Sequence, residues 1–115
     1  MKQIYPDLND RILDFSEGDT EFMAELTTAI HNGMKELKQK YTEGKLTKDE
    51  FTIQQIRHKL KPTLVMFEFN DILEELQKGK EIVEKDGFSQ EFDQHYDGLM
   101  KKLELAIERV ETLQK

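Results

Sequence analysis

Apolar residues recur at steps of three and four along most of the chain, which is the spacing that places them on one face of an α-helix. No alternation typical of β-strands occurs. The most regular run lies near the C-terminus and consists of Phe92, Tyr96, Leu99, Leu103, Ala106, Val110 and Leu113. This run forms a heptad seam, the pattern of left-handed packing between helices.

The same spacing predicts three more long helices and a short helix ahead of them. Their apolar stripes, in chain order, are Leu8, Ile12, Leu13 and Phe15; Met23, Leu26, Ile30, Met34, Leu37 and Tyr41; Ile53, Ile56, Leu60, Leu64 and Phe67; and Ile72, Leu73, Leu76 and Val83. The connections between them are short. We therefore predict an all-α fold, an up-down-up-down four-helix bundle with one short additional N-terminal helix, in a single domain spanning residues 1–115.

Short polar segments predict where the helices begin and end. Asp19 or Thr20 is expected to cap the second helix, because a side-chain oxygen at that position accepts free backbone N–H groups. Residues 43–46 contain a glycine and predict a turn. Thr47 with Glu50 three residues later has the pattern of a capping box that starts the third helix.

Composition excludes several classes of function. The chain has 17 Lys and Arg against 24 Asp and Glu, a net charge of −7, so binding to nucleic acid or to an anionic membrane surface is disfavoured. Cysteine is absent, which removes disulfides and thiolate chemistry. No apolar stretch approaches the length of a membrane span, and the N-terminus lacks the apolar core of a signal peptide. The expected location is the cytoplasm.

The strongest candidate for chemistry is His58, near the middle of the third helix. It lies two residues from both Ile56 and Leu60, so its side chain points about 200° away from the apolar stripe, towards solvent. An exposed imidazole offers a nucleophilic nitrogen at neutral pH. Three basic residues surround it and could stabilise a phosphoryl group on the ring: Arg57, Lys59 and Lys61.

The segment His58-Lys59-Leu60-Lys61 resembles the H-x-L-K core of histidine-containing phosphotransfer (HPt) domains. The order of helices is also similar, with Gly18-Asp19 before a long helix, the histidine midway along the next, and Leu73-Glu74-Glu75-Leu76 in an apolar fourth helix. The resemblance implies a helical bundle whose exposed histidine relays a phosphoryl group between the aspartates of receiver domains in two-component phosphorelays.

Carried onto this sequence, the resemblance makes His58 the phospho-acceptor and Lys61 the residue that neutralises the phosphoryl charge. It implies no independent catalytic activity and no cofactor of its own, since Mg²⁺ and the aspartate belong to the partner. The implied partners are receiver domains of hybrid histidine kinases and response regulators, bound by a monomer. The expected docking surface comprises Gln54, Gln55, Arg57, Lys59, Pro62 and Val65, with Phe51 as an alternative to Gln54.

The sequence departs from the family's pattern in two places. Pro62 and Thr63 stand where the family usually has a glycine and a small residue, and Glu68 stands where it tends to place a glycine. A proline inside a helix cannot donate to the carbonyl four residues before it, which here is that of His58. We expect a kink or a widened turn at the histidine and an altered docking geometry.

Other interpretations remain open beside phosphotransfer. The chain could be a non-phosphorylated adaptor that binds a receiver or a kinase, or a structural bundle that dimerises through its last helix. His31 and His95 are expected at the boundaries of their apolar stripes, and the carboxylates on polar helix faces. A di-iron site is excluded because it needs Glu three residues before His, and the residues there are Thr28, Gln55 and Phe92.

Overall fold

The structure, a computed structural model, describes residues 5–114. Over that range it contains five α-helices and no strand, so the all-helical prediction is confirmed. The four long helices pack as a closed ring of neighbours, α2 on α3, α3 on α4, α4 on α5 and α5 on α2, while α1 packs on α2. The helices are α1 (Leu8–Phe15), α2 (Thr20–Thr47), α3 (Glu50–Met66), α4 (Asn70–Asp86) and α5 (Gln90–Leu113).

All five helices contribute to one apolar core, and the predicted stripes supply most of it. On α5 the central members of the heptad seam, Leu99, Leu103, Ala106 and Val110, are completely buried. The other helices of the same chain therefore already occupy this seam. A dimer through this seam would require the core to open.

The short α1 forms where it was predicted, but only two of the four residues of its predicted apolar stripe are buried. Leu8 and Ile12 are buried, whereas Leu13 and Phe15 remain 41% and 47% exposed. The Phe15 ring lies 6.0 Å from that of Phe67 at the end of α3, centroid to centroid. This contact joins α1 to the end of α3, beyond His58.

The end of α2 differs from the prediction, because residues 43–46 are helical and the helix continues to Thr47. Gly44 lies inside α2, where a Cβ atom would stand 2.5 Å from Ile53 Cγ1 and 3.2 Å from a backbone oxygen. This glycine therefore allows α3 to approach α2 closely and does not form a turn. The chain leaves α2 one residue after Thr47, at Lys48, whose φ of +54° is left-handed.

The predicted capping box at the start of α3 is also wrong. The Thr47 hydroxyl donates to the carbonyl of Glu43 within α2, 2.8 Å away, and is not available to α3. Asp49 caps α3 instead, because its carboxylate accepts hydrogen bonds from two backbone N–H groups, those of Phe51 and Thr52. The cap of α2 is Asp19, one of the two predicted residues.

The chain leaves α3 through a left-handed residue. Glu68 has φ +56°, a conformation that glycine adopts without steric cost and other residues rarely do. Its side chain forms an ion pair with Arg11 of α1. Glu68, where the resemblance implies a glycine, therefore has the backbone conformation that suits glycine best.

Candidate functional site

His58 lies on the solvent side of α3, opposite the core. Ile56 and Leu60 on either side of it are 4% and 3% exposed, whereas His58, Lys59 and Lys61 are exposed. Helix α3 is unbroken from Glu50 to Met66, so Lys61 stands one turn after His58 on the same face. The angle worked from the apolar stripe thus predicted the placement of the ring.

His58 and Lys61 line the same shallow recess, which we call the α3 recess. Its other lining residues are Pro62, Val65 and Met66, and most of its surface is apolar. Val65 is 53% and Met66 46% exposed, so apolar side chains are open to a partner beside the histidine. The structure brings four residues of the expected site together here, namely His58, Lys61, Pro62 and Val65.

A second recess, the α2–α3 groove, reaches His58 from the other side. Its walls are formed by Glu36 and Lys40 of α2 and by five residues of α3, namely Thr52, Gln55, Ile56, His58 and Lys59. Lys59 Nζ lies 2.8 Å from Glu36 Oε1 across the groove, and Lys40 Nζ lies 3.3 Å from Glu43 Oε2. The histidine therefore stands on a ridge between a mainly apolar recess and a charged groove.

The remaining expected docking residues are more scattered. Gln54 is exposed but lines neither recess, and Phe51, two residues after the Asp49 cap, is 64% exposed. Arg57 is half-buried, whereas the two residues after it, His58 and Lys59, are exposed. Burial raises the pKa of Tyr41 above its ordinary value, and the nearby Arg57 partly offsets this rise. Arg57 is thus less accessible to a partner than a docking residue is expected to be.

Pro62 does not interrupt α3. The proline lacks an N–H group, so the carbonyl of His58 loses its usual donor four residues later in the helix. The α3 recess lies over this turn, with the Pro62 ring as part of its wall. A glycine there would leave an open backbone, whereas Pro62 adds apolar surface next to the histidine.

A buried polar cluster, called here the buried network, lies inside the bundle and joins α2, α4 and α5. His95 is 3% exposed, and its Nε2 lies 2.6 Å from the Tyr41 hydroxyl. Its Nδ1 lies 2.8 Å from Glu75 Oε2, and Lys102 Nζ donates to Glu75 Oε1 at 2.8 Å. The network consists of Tyr41, Glu75, His95 and Lys102.

The buried network corrects two predictions. His95 is not at the boundary of its apolar stripe, because the Tyr41 hydroxyl and the Glu75 carboxylate satisfy both ring nitrogens inside the bundle. Glu75, unlike most carboxylates, does not lie on a polar face and is largely buried. His31, in contrast, is half-buried, as a boundary residue should be. Tyr41 is 1% exposed, so the hydrogen bond between its hydroxyl and His95 is shielded from solvent.

The ionisation of the buried network follows from its contacts. Burial lowers the pKa of His95, although the Glu75 carboxylate opposes the shift. Burial alone would raise the pKa of Glu75, but the hydrogen bonds from Lys102 and His95 outweigh it, and the pKa is lowered. At neutral pH the network thus contains a neutral imidazole, with Nδ1–H donating to an ionised carboxylate and Nε2 accepting from Tyr41.

Gly79 of α4 makes room for this network. A Cβ atom at position 79 would collide with both His95 Nε2 and the Tyr41 hydroxyl, the two ends of one hydrogen bond.

Within residues 5–114, no three His, Asp or Glu side chains come together as a group that could hold a metal ion. None of the five helices is both long and apolar enough to cross a membrane, over the same part of the chain.

Comparison with known proteins identifies no relative: no family model matches the chain, and no curated protein or solved structure matches it either. The resemblance to HPt domains therefore stays a prediction, carried by the sequence motif and by the geometry around His58.

Proposed function

We propose that this chain is a phosphorelay intermediate, which accepts a phosphoryl group on His58 from the aspartate of one receiver domain and passes it to another. The observation that carries the proposal is the exposure of His58 in the middle of α3, with Lys61 one turn later lining the same recess. A nucleophile that reacts with a phosphoryl group inside another protein's pocket must protrude and must have a cation nearby.

The proposed step uses one side chain of this protein as the nucleophile. The unprotonated ring nitrogen of His58 forms a P–N bond with the phosphorus of the receiver's aspartyl phosphate. The acyl P–O bond breaks, its electron pair remains on the aspartate carboxylate, and the proton on the other ring nitrogen leaves to solvent. Lys61 offsets the charge of the phosphoryl oxygens, while the acidic pocket and Mg²⁺ belong to the receiver. The reverse step delivers the group to the second receiver.

We also propose that the four long helices run up-down-up-down. Only two residues separate α2 from α3, and three separate each of the following pairs, which favours antiparallel neighbours in an up-down-up-down order. The acidic chain would act as a cytoplasmic monomer with receiver domains of hybrid histidine kinases and response regulators as partners. Val65 and Met66 would supply the apolar contact beside the reacting atoms.

The test is transfer of labelled phosphate from a phosphorylated receiver. We expect an acid-labile label on the wild-type protein and on His31→Gln, which changes a half-buried histidine away from both recesses. His58→Gln should carry none. Label on none of the three proteins, with a receiver that transfers to a known acceptor, would refute the proposal.

A second candidate function is a receiver-binding adaptor that carries no phosphate. The exposed apolar side chains of Phe51, Val65 and Met66 favour it, because a partner could bind them without any chemistry at the histidine. In that case the receiver would bind wild type and His58→Gln equally, and neither protein would take up label.

A further inference from the structure

The α2–α3 groove brings an acidic side chain close to the proposed phosphoryl site. Among the residues that line the groove and the α3 recess, Glu36 is the one carboxylate. It is held on α2, and it forms a 2.8 Å ion pair with Lys59, the residue directly after His58. Not all of the basic side chains around His58 are therefore free to contact a phosphoryl group on its ring.

The two lysines that flank the histidine differ in this respect. No ion pair among the described residues involves Lys61. The ammonium group of Lys59, in contrast, already has a partner across the groove. Lys61 is thus available whether or not His58 is phosphorylated, whereas Lys59 must leave Glu36 in order to help.

We propose that Glu36 limits the stability of the phosphorylated form by competing with phosphohistidine for Lys59. This inference rests on the proposed function. A phosphoryl group brings about two negative charges. If Lys59 turns towards it, Glu36 loses its partner and repels the phosphoryl group; if Lys59 stays, the phosphoryl group lacks one cation. Either outcome favours passing the group on over storing it, so Glu36 acts as a positioning residue for transfer.

The equilibrium between aspartyl phosphate on a receiver and phosphohistidine on this protein measures the effect. At concentrations well below the dissociation constant of the complex, this ratio does not depend on how tightly the receiver docks, so it isolates the stability of the phosphorylated side chain. We expect Glu36→Gln to raise the ratio of phosphorylated protein to phosphorylated receiver by about two- to fivefold, the range that exposed ion pairs support. The increase should shrink in 1 M salt, where charges are screened within about 3 Å.

Glu104→Gln provides a matched control. Glu104 is likewise a glutamate in an interhelical ion pair, 3.5 Å from Lys38, and neither residue lines the groove or the α3 recess. This change removes the same charge from the chain but should leave the ratio unchanged. Unfolding in urea should be nearly the same for both variants, because both carboxylates are partly exposed.

A Lys59→Gln background separates competition for the lysine from simple repulsion. There, Glu36→Gln should have a clearly smaller effect than in wild type. The inference would be overturned if Glu36→Gln had the same effect in both backgrounds. It would also be overturned if the wild type and Glu36→Gln were both labelled but had the same ratio of phosphorylated protein to phosphorylated receiver. The proposed function would stand in either case. Absence of label from wild-type His58 would instead overturn the proposed function, and this inference with it.

Discussion

Gly79→Ala tests the buried network most sharply, because general helix energetics and this structure predict opposite signs. In the interior of a helix, alanine is about 1 kcal/mol more favourable than glycine, so the change would ordinarily stabilise α4. Here the new methyl group would collide with both ends of the hydrogen bond between Tyr41 and His95. One of the two side chains, or α4 itself, must move.

The expected cost follows from what that movement breaks. Separating the Tyr41 hydroxyl from His95 leaves a buried donor and a buried acceptor without partners, at about 1–3 kcal/mol each. Overpacking adds strain of about 1–3 kcal/mol. After subtracting the gain in helix propensity, we expect Gly79→Ala to lower the free energy of unfolding by about 2 kcal/mol or more.

The assay is equilibrium unfolding in urea at neutral pH, where a loss of this size moves the midpoint by about 1 M. Gly98→Ala is the matched control, since a Cβ there would have Glu75 Oε1 as its nearest neighbour, at an ordinary 3.8 Å. It should be neutral or stabilising by up to about 1 kcal/mol. If Gly79→Ala were as stable as Gly98→Ala, the reasoning about the buried network would be refuted.

Three further predictions concern stability. Acidification from pH 7 to 5 should lower the free energy of unfolding. Burial lowers the pKa of His95, so the unfolded chain binds a proton at this residue first, near pH 6.5. The lowered pKa of Glu75 causes a further loss of stability below about pH 4.5. A flat urea midpoint over this range would contradict the ionisation described above. Asp49→Ala should cost about 1 kcal/mol through loss of the α3 cap, while Thr47→Ala should change little; the reverse order in thermal unfolding would restore the capping box. Glu68→Gly should be about 1 kcal/mol more stable than Glu68→Ala in urea, because only glycine relieves the left-handed backbone; equal stabilities would count against that conformation.

The periodic part of the fold could be predicted because it depends on local spacing. The exposure of His58 followed from its angle to Ile56 and Leu60 along one helix, and that angle needs no knowledge of the other helices. The end of α2 could not be predicted in the same way. Glycine is common in turns. Only the closeness of Gly44 to Ile53 of the next helix shows that this glycine allows the two helices to pack closely.

Contacts between helices account for the remaining differences. Glu36 and Lys40 reach the groove beside His58 because of the register of α2 against α3, which the pattern of apolar residues leaves undetermined. The buried network did leave a signal in the sequence. His95 follows Phe92 by three and precedes Leu99 by four, which places it on the buried face of α5. The buried position of His95 was not predicted because a polar side chain needs a hydrogen-bond partner in the core. Its partners, Tyr41 and Glu75, belong to other helices.

Phosphorus NMR of the protein after incubation with a phosphorylated receiver and Mg²⁺ tests the central claim most directly. We predict a phosphoramidate resonance that disappears on acidification and is absent from His58→Gln. Lys61→Ala should reach this state more slowly than Lys61→Arg, with urea midpoints alike, because the side chain is exposed. A wild-type spectrum without a phosphoramidate signal, or a signal that persists in His58→Gln, would contradict the assignment of His58 as phospho-acceptor.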